Sequence, residues 1–406
     1  MDSLITAAGR ALARGDVLGA LRRVALRNDA PALALRGIAM AQLGDFERAK
    51  ALLQRAARAF SGKEAVARAR CAVALAEIAL VSRDLAWPAR PLETAREVLA
   101  AHHDHLNSAH ARLLQVRRLL LVGQLAEAER LMRRLDPSPF TPLLRAAYEL
   151  AGAGIAIRRV RATLAQEALA RAKKAAQEAG IGALVAEIDE AASGLQGPAA
   201  RLVSRGLERP LALCEVEKLF ASDALIVDAC RHIVRRENTV VSLSRRPVLF
   251  ALAQTLAEAW PGDAPRRVLV ARAFRGRQAD ESYRARLRVE IGRLRQVLRS
   301  VGRLDATDEG FALTARSQRG VVLLAQPFDR DNAALLALLS DGESWTSSAL
   351  GLALGASQRT VQRGLDSLAK AGKVQPVGRG PARRWTAPPL PGITTALLLP
   401  VFSPSD

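Results

Sequence analysis

The stretch SSALGLALGASQRTVQRGLDSLAKAGKVQPVGRGPARRW, Ser347 to Trp385, decides how the rest of the chain is read. Leu350, Ala353 and Leu354 give a short helix an apolar stripe; Gly355 and Ala356 break it, and the Ser357 hydroxyl is placed to cap the next helix. In that longer helix Val361, Leu365 and Leu368 recur at spacings of four and three, so one face must be buried. Ser357, Gln358, Arg359, Thr360, Gln362 and Arg363 gather toward its N-terminal end, where a recognition helix meets base edges. Gly372 is expected to stop the helix as a left-handed residue. A two-stranded hairpin should follow, Lys373 to Val377 and Arg383 to Thr386. Its tip, Gly378-Arg379-Gly380-Pro381, with Arg383 and Arg384, sets cations where a phosphate or a minor groove would sit. A further short helix, Asn332 to Leu339, is expected ahead of the stretch.

These residues resemble the helix-turn-helix core of bacterial winged-helix transcription regulators, DeoR-like or MarR-like in the pattern Arg359-Thr360-Val361-Gln362-Arg363, Leu365, Leu368 and Gly378-Arg379-Gly380. The resemblance covers roughly sixty residues, the span of one such module. It implies a winged helix that binds double-stranded DNA. The competing reading is a winged helix used for protein contacts alone.

Composition points the same way. The chain has 406 residues, enough for two to four domains with well-buried cores, and its net charge is +20. Only seven of the 60 basic residues are Lys, an Arg bias that codon usage explains; the excess of cations it does not explain, and that suits a polyanionic partner. Cys71, Cys214 and Cys230 form no CxxC spacing and sit in apolar contexts, as small buried hydrophobes in a reducing compartment would. With no basic-then-apolar leader and no apolar run approaching a membrane span, a cytoplasmic protein is expected.

Residues 1–197 are Ala- and Leu-rich with helical periodicity throughout, and they repeat weakly. One unit carries Gly37, Gly44, Ala49, Leu53 and Ala56; another Gly123, Leu125, Ala128 and Met132; a shorter one Gly15, Ala20 and Val24. Arg83 to Ala95 supplies an intervening unit with a longer turn at Pro88 and Pro91, giving a period of about 40 residues, and a fifth hairpin runs from Pro142 to Ala179. The small-residue spacing resembles tetratricopeptide repeats, without most of their aromatics. Such arrays make concave surfaces, so a protein or small-molecule effector is expected here, against a plain packing or dimerisation role. His102, His103, His105 and His110 cluster, and His102 with His105 would share a helix face, but with no Cys or second fixed pair nearby they read as surface or interface histidines.

Beyond a boundary at Gly194 to Pro198 the pattern changes. Leu225-Ile226-Val227, His232-Ile233-Val234 and Thr239-Val240-Val241 read as strands. A helix capped by Ser244 carries Val248, Leu249, Leu252 and Leu256; a second spans Arg266 to Ala273. A third, from about Asp280, buries Tyr283, Leu287, Ile291, Leu294 and Leu298 and sets Arg284, Arg288, Arg295 and Arg299 on another face, with Arg286 and Arg293 between. From Arg266 to Arg303 twelve Arg stand against three acids, too few to neutralise a solvated face. With a hairpin (Leu304 to Thr307, Phe311 to Leu313), this resembles the effector domain of OmpR-type response regulators, on Leu243-Ser244, Leu287 to Arg295 and Gly310-Phe311-Ala312-Leu313. Two departures stand out: Asp308 and Glu309 replace basic or neutral hairpin residues, which argues against phosphate contact there, and no receiver domain precedes, so phosphorylation control is not implied. Val321 to Ala325 reads as a closing strand, and the apolar run Ile393 to Leu399 as an addition to a sheet or a subunit interface.

The expected architecture is mostly α: an N-terminal α-helical repeat solenoid (1–197) followed by two winged-helix (α+β) domains (198–326 and 327–406). The expected function is a dimeric, sequence-specific double-stranded DNA-binding transcription regulator. A non-enzymatic adaptor is the alternative, and an RNA or single-strand binder is disfavoured because no aromatics interleave the basic helices. No P-loop, dinucleotide fingerprint, GxSxG elbow or metal constellation occurs, so neither an enzyme nor a cofactor is expected.

Overall fold

The computed structural model describes the chain except residues 1–2, 83, 275–280, 316–318, 326–332, 340–343, 371–373, 379, 381–382 and 387–406. The fold is mostly helical, with an N-terminal helical region and a sheet-containing C-terminal part. It divides into two compact units. One takes in the chain up to Arg158, Leu164–Ala191 and the chain from Ala334 on; the other takes Arg159–Thr163 and Ala192–Ala333. No helix among the described residues is long and apolar enough to cross a membrane. Gly372, the apolar run 393–399 and the linker expected from Pro327 lie outside the described residues.

The first unit opens with α1 (Ser3–Ala13), α2 (Val17–Val24), α3 (Ala30–Gln42), α4 (Phe46–Ala59), α5 (Ala65–Val81), α6 (Arg90–Ala101), α7 (His105–Leu121), α8 (Leu125–Met132), α9 (Pro142–Arg158), α10 (Ala162–Glu178) and α11 (Gly182–Gly194). Chain neighbours pack in pairs, α1 with α2, α3 with α4, α5 with α6, α7 with α8. The first helix of each pair also packs on the first of the next, α1 on α3, α3 on α5, α5 on α7 and α7 on α9. Gly15, Gly44 and Gly123 make the turns inside three of these pairs at φ of 78°, 84° and 76°, a backbone that strains an L side chain. Asp16 and Asp45 then cap the following helices by accepting from the Gly19 and Arg48 N–H groups. Inside the second pair a Cβ on Gly37 would meet Leu53 Cγ at 2.7 Å, so glycine there lets α3 and α4 close up.

A polar seam joins α5 to α7. Arg70 pairs with Asp104 at 2.8 Å, and the Asn107 amide donates to both Asp104 oxygens at 3.0 and 2.9 Å. Two turns further along α5, Glu77 Oε2 lies 3.4 Å from His110 Nε2, and both side chains are buried. Groups this deep are costly unless they meet each other, which fixes how the two helices slide. The histidine cluster therefore differs from expectation. His110 is core; His102 ends α6 with Nδ1 2.9 Å from the Val98 carbonyl, His103 takes a left-handed turn, and Asp104 caps α7. His102 and His105 sit on either side of that turn rather than on one helix face.

The unit closes with α16 (Ala333–Leu339), α17 (Ser347–Leu354), α18 (Gln358–Lys370), β10 (Gln375–Val377) and β11 (Arg384–Thr386). β10 and β11 pair antiparallel, and Trp345 extends them by exchanging 2.7 Å backbone hydrogen bonds with Trp385. Both indoles are fully buried, in one cluster with Val361, Leu365, Leu368 and with Leu80, Leu85 and Leu92 of the helical region. The segment from Ala334 thus shares a core with α5 and α6.

The second unit contains β1 (Ala200–Ser204), β2 (Leu207–Leu211), α12 (Leu213–Phe220), β3 (Leu225–Asp228), β4 (Ile233–Arg236), β5 (Thr239–Ser242), α13 (Pro247–Ala259), β6 (Ala264–Pro265), α14 (Arg266–Phe274), α15 (Glu281–Leu298), β7 (Arg303–Ala306), β8 (Gly310–Thr314) and β9 (Val321–Ala325). Six strands form a sheet in the order β2-β1-β9-β3-β4-β5, and β6-β8-β7 form a second. β9 runs parallel to β3 and antiparallel to β1, so the strand expected to close the sheet lies inside it. Ser244 does not cap α13; it bonds Ser242 through its hydroxyl, and Pro247 starts the helix with its fixed φ. Cys230 is exposed, contrary to the buried-hydrophobe reading, because Asp228 accepts from the Cys230 and Arg231 N–H groups and holds the turn at the surface. Cys71 is buried, which pushes its thiol up to about 12.

Replacing His110 by Leu should destabilise the first unit by about 1–3 kcal/mol, because it puts an apolar group where an imidazole faces the buried Glu77 carboxyl. Adding Glu77→Leu should recover part of that loss in chemical denaturation; losses that simply add would show that the two groups do not interact.

Candidate nucleic-acid interface

α15 is held by its apolar stripe. Leu287, Ile291, Leu294 and Leu298 are buried against Leu249, Leu252 and Leu256 of α13 and against Leu225 and Leu323 of the sheet. At 3.6 residues per turn the remaining surface sorts itself. Arg284, Arg288, Arg295 and Arg299 form one flank and Arg286 with Arg293 the other, all exposed. Between the flanks run Ala285, Val289, Gly292 and Gln296, also exposed and uncharged. Several guanidiniums are steadied. Arg295 Nε donates to the Leu304 carbonyl at 3.0 Å, Arg293 pairs with Glu290 at 2.8 Å, and Arg286 lies 4.6 Å over the Phe274 ring. Arg288 and Arg299 have no partner among the described residues.

The β7–β8 hairpin stands beside α14. Arg266 Nη1 and Nη2 donate to the carbonyls of Asp308 and Thr307 at 2.7 and 3.0 Å, and its guanidinium lies over Phe311. Gly310 is obligatory, since a Cβ there would fall 1.9 Å from the Ala264 carbonyl oxygen. The tip itself is acidic, with Asp308 and Glu309 both exposed.

The second predicted helix is α18. Thr346 caps α17 through Ala349, and Gly355 ends it at φ 62°. Val361, Gly364, Leu365 and Leu368 are buried, while Arg359 and Arg363 are exposed and have no partner among the described residues. The other predicted contacts are mostly occupied. Ser357 Oγ accepts from the Thr360 N–H at 3.2 Å and bonds its hydroxyl; Gln358 donates to Ser347 and Gln362 to Asp366 at 3.0 Å. Arg383 lies 4.3 Å over the Trp385 ring. Arg384 donates to the Ser82 carbonyl at the end of α5, so it points into the helical region and not outward. Arg379 lies outside the described residues.

One cation escaped the sequence reading. Arg246, at the start of α13, lines with Arg293 an open cleft of about 490 Å³ that Glu290, Gln296 and Val297 also line. The Arg245-Arg246-Pro247 run was the available signal, since proline opens a helix and leaves the preceding cations at its mouth. No group of three or more His, Cys, Asp or Glu among the described residues is arranged to hold a metal. In comparison with known proteins the chain matches no family, no curated protein and no solved structure.

Arg266→Ala frees two tip carbonyls. It should cost the second unit about 1–2 kcal/mol and speed amide exchange across residues 307–311 while protection in α15 is kept. Uniform loss of protection would mean that the hairpin does not depend on that side chain.

Proposed function

We propose that this chain is a sequence-specific double-stranded DNA-binding regulator of transcription. In this reading α13–α15 with the β6-β8-β7 sheet are an OmpR-type winged helix. α16–α18 with Trp345, β10 and β11 are a second, DeoR- or MarR-like one, and α1–α11 are a helical-repeat array that takes a protein or small-molecule effector. The observation that carries it is the exposed face of α15: guanidiniums on both flanks, with a smooth uncharged strip between them. A helix lying in the major groove needs that arrangement, because its flanks approach the two phosphate backbones while its centre meets base edges. Val289 in the centre suits a thymine methyl and Gln296 an adenine edge. The acidic tip of the β7–β8 hairpin keeps that wing off the phosphates.

On α18, Arg359 and Arg363 are the base readers, and Asp366 on the same side narrows the choice by repelling nearby phosphate. Ser357 and Thr360 act as the helix cap, and Arg384 ties the module to the array. Two copies on paired half-sites supply the affinity and specificity that a single module lacks. In this reading the protein is cytoplasmic and its role is binding, not catalysis.

Removing Arg288 and Arg299 together should lower the slope of log affinity against log salt by about 2 if both neutralise phosphates. An unchanged slope would take α15 off the DNA. Arg359→Ala or Arg363→Ala should lose about 1–3 kcal/mol of discrimination on a site selected from random duplexes, with nonspecific binding nearly intact. Equal losses on specific and random DNA would refute base reading by α18.

A further inference from the structure

Between the start of α13 and one side of α15 the second unit leaves an open cleft of about 490 Å³, a volume that suits a small molecule. Its walls follow from the two segments that meet there. Pro247 opens α13 and is exposed, Val248 is half-buried, and Leu249 belongs to the core. On α15, Glu290, Arg293 and Val297 follow one another at spacings of three and four, so they share one side of the helix. Val297 sits at the margin of the core, half-buried. Proline and the two valines thus give the cleft apolar surface that no other side chain of the unit covers fully.

The polar groups of the lining are used unequally. Arg293 pairs with Glu290 at 2.8 Å, and the Glu290 side chain is only 14% exposed. The Arg246 guanidinium is exposed and has no partner among the described residues, and neither has the Gln296 amide. Two guanidiniums against one carboxylate leave one positive charge unanswered beside the apolar surface.

We propose that this cleft binds a small amphipathic anion, a carboxylate or sulfonate carried on an apolar body. Arg246 takes the head, since its planar fork matches a carboxylate through two parallel hydrogen bonds, and the body covers Pro247, Val248 and Val297. Gln296 offers a donor that orients the head. A neutral molecule would leave the Arg246 charge unmatched, and a cation would be repelled by it. A phosphate backbone has no apolar body to seat in the cleft. The site also bears on DNA, and that half of the inference rests on the regulator reading. Arg293 and Gln296 belong to the surface of α15 which that reading lays in the major groove. A molecule seated against them takes room the duplex needs, so ligand and duplex weaken each other by the same factor.

The probe is 2-naphthoate, a fused aromatic ring with one carboxylate, titrated calorimetrically into the full chain without DNA. One site with a dissociation constant on the order of 100 μM is expected. The uncharged 2-naphthamide should bind at least about tenfold more weakly. Arg246→Ala should weaken naphthoate at least about tenfold with the circular dichroism and melting curve unchanged. Arg22→Ala, which removes an exposed cation of the first unit, should leave the affinity as it is. Val297→Trp should abolish binding by filling the cleft; should it misfold, Arg246→Ala still decides, because that side chain is exposed. In a second titration, saturating naphthoate should weaken duplex binding at least about fivefold. No saturable binding up to about 5 mM, or binding that neither Arg246→Ala nor the amide weakens, overturns the site. Naphthoate binding with undiminished duplex affinity overturns the antagonism. The first titration holds no DNA, so a chain that takes naphthoate and no duplex keeps the site and sinks the regulator reading.

Discussion

Burial of one stripe, Leu287, Ile291, Leu294 and Leu298, is the constraint on which the second unit depends. Each side chain removed from water is worth about 1.5–3 kcal/mol, and the four together fix α15 in rotation about its own axis. Rotation is what matters for its surface. Once the leucines face α13 and the sheet, no freedom remains in where the arginines point, and the two basic flanks with their smooth centre follow from residue spacing alone. Turning the helix by a single residue would bury a guanidinium under α13, at a cost far above anything a surface contact returns.

The same logic works with opposite sign in the helical array. Its helices have small faces, rich in alanine, so apolar packing alone discriminates poorly between neighbouring registers of α5 and α7. The Arg70–Asp104–Asn107 group and the Glu77–His110 pair supply that discrimination, because a slip of one turn would part buried polar groups from the groups they face. Alanine makes the array close-packed, and the seam makes it specific.

Much of this was legible in the residues. The glycines at 15, 44 and 123 mark turns because only a residue without a side chain adopts their backbone freely, and the four-four-three-four spacing on α15 picks out its buried stripe. Other features were not legible, for reasons that can be named. β1, β2 and α12 were missed because exposed strands such as Leu207–Leu211 carry charges and proline in place of apolar alternation. β9 was recognised as a strand but not as an interior one, since a fully apolar run fits any buried place in a sheet. The outward direction of Arg384 was wrongly expected because its destination, the Ser82 carbonyl, lies some three hundred residues away along the chain.

That last contact bears on how the helical region and α18 relate. Trp345 and Trp385 are sealed in a core that also holds Leu80, Leu85 and Leu92, and Arg384 ties β11 to the end of α5. Yet Arg359 and Arg363 remain exposed on α18, because the buried face of that helix is the one carrying Val361, Leu365 and Leu368. Attachment and exposure use opposite sides of the same short helix. Any change in the spacing of α5 and α6 must therefore reach α18 through packed side chains and one guanidinium, without first uncovering its cations. In the proposed reading, an effector on the helical region would act by moving a helix whose cations are already exposed, with no need to release masked ones.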